Sequence, residues 1–170
     1  STEEISKALT EGAAAGKLVP VFSGSATHNI GVRQLMDYFV VLSAPPEAKG
    51  EISGFDRDGS AATRRIHPSE PFSAVVFKTM VDQYAGKISI FRVLTGTLKP
   101  DSSILVADKS RKAKVTNVFM LAGKAQSPVA AAEPGDIACV VKVEDLGTGS
   151  SISDPNNVFT IQPLQIPGPV

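Results

Sequence analysis

Most of the cationic side chains in this sequence sit in its middle. Residues 71–126 carry nine Lys and Arg against three Asp and Glu, a net charge of +6. Residues 1–70 carry −2 and residues 127–170 carry −4, so the chain as a whole is neutral. If folding gathers the middle cations on one side, that surface suits a phosphate backbone; otherwise they are an ordinary solvated strand face. Other chemistry is thinly supplied. His28 and His67 are the only histidines, and neither has Cys or a carboxylate at ligand spacing, so no metal site is expected. Ser23-Gly24-Ser25 is not a GxSxG elbow, which leaves a Ser-His-Asp triad without its context. His28 is placed to cap the helix that follows it. Cys139 is the single cysteine and lies in an apolar run. It has no disulfide partner in the chain and reads as a small buried hydrophobe in a reducing cytoplasm. No apolar run approaches the ~18 residues of a membrane span, and no basic leader precedes an apolar stretch.

Residues 1–43 read as helix, strand, helix. Ser1 and Glu4 have capping-box spacing, and Ile5, Ala8, Leu9, Gly12 and Ala13 make one apolar helical stripe that Gly16 ends. Residues 18–22 form a short apolar strand whose Pro20 demands an edge or a strand end. A second helix carries Val32, Leu35, Met36, Phe39 and Val40 on one face. Two striped helices need a sheet to cover, and one short strand is not a sheet. The segment is therefore expected to be the last unit of a larger α/β domain.

Residues 44–70 are Gly-, Asp- and Arg-rich after Pro45-Pro46, and are expected to be an exposed, partly mobile linker in which Arg64-Arg65 is solvated. From residue 71 the pattern changes to β. Strands are expected over 72–81, 87–97, 104–107, 112–121 and 137–143, punctuated by Gly and Pro. Strands at this spacing, with few helical stretches, indicate a closed or nearly closed antiparallel barrel, which also hides its edges. Residues 159–170 hold three prolines and read as a connector.

Three motifs then resemble, in order, parts of bacterial elongation factor G, a translational GTPase. Val19-Pro20-Val21-Phe22-Ser23-Gly24-Ser25-Ala26, with Asn29-Ile30-Gly31-Val32 and Leu35-Met36-Asp37, is similar to the fifth GTPase motif and the helix closing that domain. Val76-Phe77-Lys78-Thr79, Gly86-Lys87-Ile88-Ser89-Ile90-Phe91-Arg92-Val93 and Thr95-Gly96-Thr97-Leu98-Lys99-Pro100 resemble the opening hairpin of its second domain. Pro134-Gly135-Asp136-Ile137-Ala138 with Thr148-Gly149 resembles a late barrel strand and its turn. The family has Asp-Thr after that Thr-Gly, whereas Ser150-Ser151 stand here, which puts contacts from this loop in doubt.

The resemblance implies a mainly β chain: an antiparallel six-stranded barrel like the second domain of elongation factor Tu over 71–158, preceded by an incomplete α/β remnant over 1–43. It implies that Ser25 and Ala26 face a guanine base, since a turn of small residues lets backbone donors approach a flat ring. It implies that Lys87, Arg92 and Lys99 contact small-subunit ribosomal RNA, each cation releasing counterions from a phosphate. Arg92, flanked by Phe91 and Val93, is equally readable as a structural ion-pair partner. Lys109, Arg111, Lys112 and Lys114 read first as a solvated turn. The implied partners are the ribosome and the GTPase and third domains of the parent, with neither membrane nor DNA, in the cytoplasm. GTP and Mg belong to the parent. This chain has no GxxxxGK[ST] loop and no NKxD, so no GTP hydrolysis and no cofactor of its own are expected. Alternatives are a ribosomal-protection or release-factor GTPase, a stand-alone protein-binding barrel, or another kind of enzyme with a deep pocket of converging titratable groups.

Overall fold

The computed structural model describes residues 1–123 and 125–162, and the chain falls into two compact units that divide after Pro45. In the first unit, helix α1 spans Thr2–Ala14 and α2 spans Val32–Leu42. The capping box forms as spaced: Glu4 N–H donates to Ser1 Oγ at 3.3 Å, and the Ser1 amine donates back to Glu4 Oε2 at 2.5 Å. The chain then folds back on α1, with Lys17 and Leu18 N–H both on the Gly12 carbonyl at 2.9 and 3.1 Å. Leu18 packs where a Gly12 side chain would stand.

Two expectations for this unit need correction. Residues 18–22 make no strand, because no described segment offers them a ladder. His28 does not cap α2, whose N-cap is Gly31 at φ 77°. Much of the apolar stripe of α2 is solvent-facing: Met36, Phe39 and Val40 are 63%, 60% and 84% exposed, while Val32 and Leu35 are half-buried.

The second unit begins with a 3-10 turn and a hairpin, β1 (Glu51–Phe55) and β2 (Ala61–Arg65), inside the stretch expected to be a linker. Asp56 makes this hairpin: its Oδ1 accepts the N–H groups of Asp58 and Ser60, each at 2.9 Å, with Gly59 at φ 80°. The polar, Gly-rich composition that suggested a linker is that of a turn between short strands.

Next come β3 (Ser73–Asp82), β4 (Gly86–Thr95), β5 (Ser102–Val106), β6 (Arg111–Val115), β7 (Phe119–Ala122), β8 (Ala125–Pro128), β9 (Ile137–Val141) and β10 (Ser151–Ser153). They form one antiparallel sheet in the order β6-β5-β10-β3-β4-β9-β7-β8. The sheet curls round a core that includes Val76, Phe91, Val93, Ile104, Val140 and Ile152, each at most 1% exposed. The chain is mainly β with a curled antiparallel sheet, as expected, and among the described residues that sheet is drawn from eight strand segments. The expected strand over 112–121 breaks between β6 and β7, where Val118 turns into the core. β10 joins β3 to β5.

Candidate functional site

β4 carries two of the cations singled out in the sequence, and its pleat separates them. Phe91 and Val93 enter the core, while Ile88, Ile90 and Arg92 occupy the outer face. Lys87 has the core-side parity and stands at the strand's end. Its ammonium donates to the Glu144 carbonyl at 2.7 Å, and its own carbonyl accepts Lys142 N–H at 2.8 Å. Lys87 is therefore tied into the junction that follows β9. Lys99 is exposed just past Leu98, which bridges to Ala132. The structure does not bring Lys87, Arg92 and Lys99 together.

It brings Arg92 together with Lys78 instead. Val76 opposes Phe91 and Lys78 opposes Ile90, so Phe77 is an extra residue in β3. This bulge reverses the parity of β3: Val76 points inward, and Lys78 points outward beside Ile90. Lys78 and Arg92 are then diagonal neighbours, roughly 7–8 Å apart at the backbone. The motif contained Lys78, but only the bulge reveals which face it shares.

Around these two cations the outer face of β4, β9 and β7 is apolar, and Asp82 stands at the far end of β3. Ile88, Ile90 and Cys139 make a small second core, covered by Phe119 and Leu121 from β7. Met80 and Ile137, 42% and 53% exposed, flank it. Burial pushes the Cys139 thiol above its ordinary value. Among the described residues, neither Lys78 nor Arg92 is in an ion pair, and no carboxylate stands on this face of β4, β9 or β7. At the β3–β4 turn, Asp82 spends its Oδ1 on Ala85 and Tyr84 N–H groups at 2.8 and 2.9 Å, which hold its carboxyl below the usual range.

Three of the four cations in the other basic cluster are paired. Lys109 and Arg111 reach Asp145 at 3.8 and 3.3 Å, and Lys114 reaches Asp101 at 3.3 Å. Ser150 and Ser151 also have structural partners. Ser150 Oγ donates to Asp108 Oδ2 at 3.0 Å, and Ser151 Oγ accepts Ile161 N–H at 3.2 Å.

In the first unit, Ser25 and Ile30 exchange both backbone hydrogen bonds at 2.9 Å, closing a tight loop. Ser25 N–H is thereby engaged internally. Among the described residues Ala26 N–H has no partner, so one donor of the expected pair is not engaged internally. Ser25 Oγ lies 3.0 Å from His28 Nδ1 and 3.3 Å from Thr27 Oγ1, a local network at the surface.

In the second unit a cleft of about 520 Å³ is lined by Asp56, Arg57, Leu105, Lys112 and Thr160 among others. Its one carboxylate is that of Asp56, already held by the hairpin turn. Among the described residues, no three His, Cys, Asp or Glu side chains gather in a way that could hold a metal ion.

Comparison with known proteins agrees with this architecture. A crystal structure of a protein from Thermus thermophilus superposes on 91% of this chain with a TM-score of 0.70 and 26% identity. The match takes up 20% of that protein, so this chain spans about a fifth of its length. Residues 71–154, just under half of the chain, match the family model for elongation factor G domain 2, and the curled antiparallel sheet described above is consistent with a β-barrel like that domain's.

Proposed function

We propose that this chain is part of a cytoplasmic translational GTPase of the elongation factor G type, and that its β unit docks on small-subunit ribosomal RNA. The observation that carries the docking reading is the outer face of β3, β4 and β9: Lys78 and Arg92 are diagonal neighbours beside Ile88, Ile90 and Cys139, and neither has a carboxylate partner among the described residues. RNA helices are recognised through shape and phosphates, which two adjacent unpaired cations on a rigid sheet suit. Lys99 adds a separate exposed cation. Lys87 contributes less, because its ammonium already has the Glu144 carbonyl. The unit acts as a rigid body that carries a GTP-dependent change from the first domain to whatever the parent places beyond it.

In this reading residues 1–43 are the end of the GTPase domain. GTP and Mg are bound by the intact parent. The Ser25-Ala26 loop supplies one base-facing donor, Ala26 N–H, and one donor cannot hold a triphosphate. Calorimetric titration of the chain with millimolar GTP or GDP is expected to show no heat of binding. Micromolar affinity would mean that the nucleotide machinery lies in this chain after all. The docking reading is tested by the salt dependence of the parent's binding to small ribosomal subunits, with and without Lys78 and Arg92.

A further inference from the structure

The hairpin β1–β2 is hydrogen-bonded chiefly to one neighbour, the strap of residues 154–161 that leaves β10. Phe55 and Thr160 exchange backbone hydrogen bonds at 2.8 and 2.9 Å. Arg57 donates to the Pro155 carbonyl at 3.0 Å. Phe159, 1% exposed, sits so close under Gly54 that a Cβ there would stand 2.6 Å from its Cζ.

Arg64 joins the parts. Its guanidinium lies 4.5 Å over the Phe159 ring, and it donates to the Asn157 and Pro71 carbonyls at 3.3 and 3.4 Å. A planar guanidinium can stack and donate sideways at once, which an ammonium cannot. The strap is pinned to the barrel at its two ends, by Asp154 N–H on the Phe72 carbonyl at 2.9 Å and by Ile161 N–H on Ser151 Oγ.

A two-stranded hairpin is marginal by itself in water. Between its pinned ends, and among the described residues, the strap has backbone pairing only with Phe55 and within its own turn at Asp154. Each piece therefore owes its order to the other. We propose that β1–β2 and the strap form a clasp: one cooperative unit, keyed by Arg64, that opens separately from the barrel and, while closed, fixes the paths by which the chain enters and leaves it. Units of this kind open as a whole, with a free energy below that of global unfolding. Opening frees residues 51–65 and 154–161 together, so the two paths change direction in concert.

Hydrogen exchange read by mass spectrometry on the full 170-residue chain tests this. Arg64→Ala removes a stacked cation and two charged hydrogen bonds, so exchange over 51–65 and 154–161 is expected to rise together, by about tenfold or more. Arg64→Lys should give most of the same rise, and β4 and β9 should stay protected in both. A rise in one segment alone, no rise, or an equal rise through the barrel overturns the clasp. A second measurement needs no variant. In low denaturant the amides of Phe55 and Thr160 in the unaltered chain should merge onto one opening isotherm below that of β4. Separate isotherms, or merging only with β4, would also overturn it.

Discussion

Lys78 and Arg92 lie diagonal to one another on the outer face of the sheet, while Lys87, on the same strand as Arg92, has the opposite parity. The two faces predict different phenotypes. Replacing both Lys78 and Arg92 by Ala in the parent protein should weaken binding to small ribosomal subunits and lower the salt slope by about two, near one per phosphate contact. Lys87→Ala should leave the slope nearly unchanged and cost below about 1 kcal/mol of stability, through the lost bond to Glu144. A filter-binding series across salt concentrations decides. A slope that follows Lys87 and ignores the other two would move the docking face elsewhere.

Gly96 tests the packing where the barrel begins. It has φ 68°, and a Cβ there would stand 2.5 and 2.6 Å from Phe72 N and Cα. Those atoms are backbone and cannot swing away, so Gly96→Ala should destabilise the chain by about 2–4 kcal/mol in urea unfolding. Gly123 has φ 60° with nothing within 4 Å. Gly123→Ala should therefore cost only the left-handed strain, about 1 kcal/mol.

Much of this architecture is visible in residue types, and what is hidden is hidden for physical reasons. Val76, Phe91 and Val93 announce a buried β face, and Ser1 with Glu4 announces a helix start. β10 is Ser-Ile-Ser, too short and polar to register, yet its three residues are at most 7% exposed because β3 and β5 flank it. Arg64 reads as a solvated linker cation, since nothing local predicts that Phe159 will lie beneath it. On the outer face of the sheet, a strict alternation from Val76 would bury Lys78. Only pairing with β4 shows that Phe77 is a bulge. The apolar residues 18–22 err in the other direction: a strand is defined by its neighbours, and sequence pattern cannot supply them.

Buried hydroxyls give a prediction with two signs. Thr95 Oγ1 donates to the Pro71 carbonyl at 2.8 Å, which leaves Ser73 Oγ to donate to Thr95 Oγ1 at 2.7 Å. Thr95→Val strands the Ser73 hydroxyl and leaves the Pro71 carbonyl with only the longer bond from Arg64, and should cost about 1–3 kcal/mol. Adding Ser73→Ala should recover part of that loss, since the stranded hydroxyl is then gone. Ser153 Oγ is buried without a partner among the described residues, so Ser153→Ala should be neutral or stabilising by up to about 1 kcal/mol. Urea midpoints of these variants settle this, and a destabilising Ser153→Ala would show that its hydroxyl has a partner, such as a bound water.

Cys139 links burial to pH. Desolvation raises its thiol pKa in the folded chain, so the folded form keeps its proton at a pH where the unfolded chain has begun to lose it. The stability this contributes is present in full below the ordinary thiol pKa, and it declines as pH rises from there through the raised value. The gap in unfolding free energy between the natural chain and Cys139→Ala should therefore be constant from neutral pH to about 8 and shrink above the ordinary thiol range, near 8.5–9. A thiol reagent at pH 8 should leave Cys139 unmodified in the folded chain, where it is 0% exposed, and label it fully in guanidinium. Rapid labelling without denaturant would mean that β7 opens readily from β9, and that the outer face around Arg92 is less rigid than its packing implies.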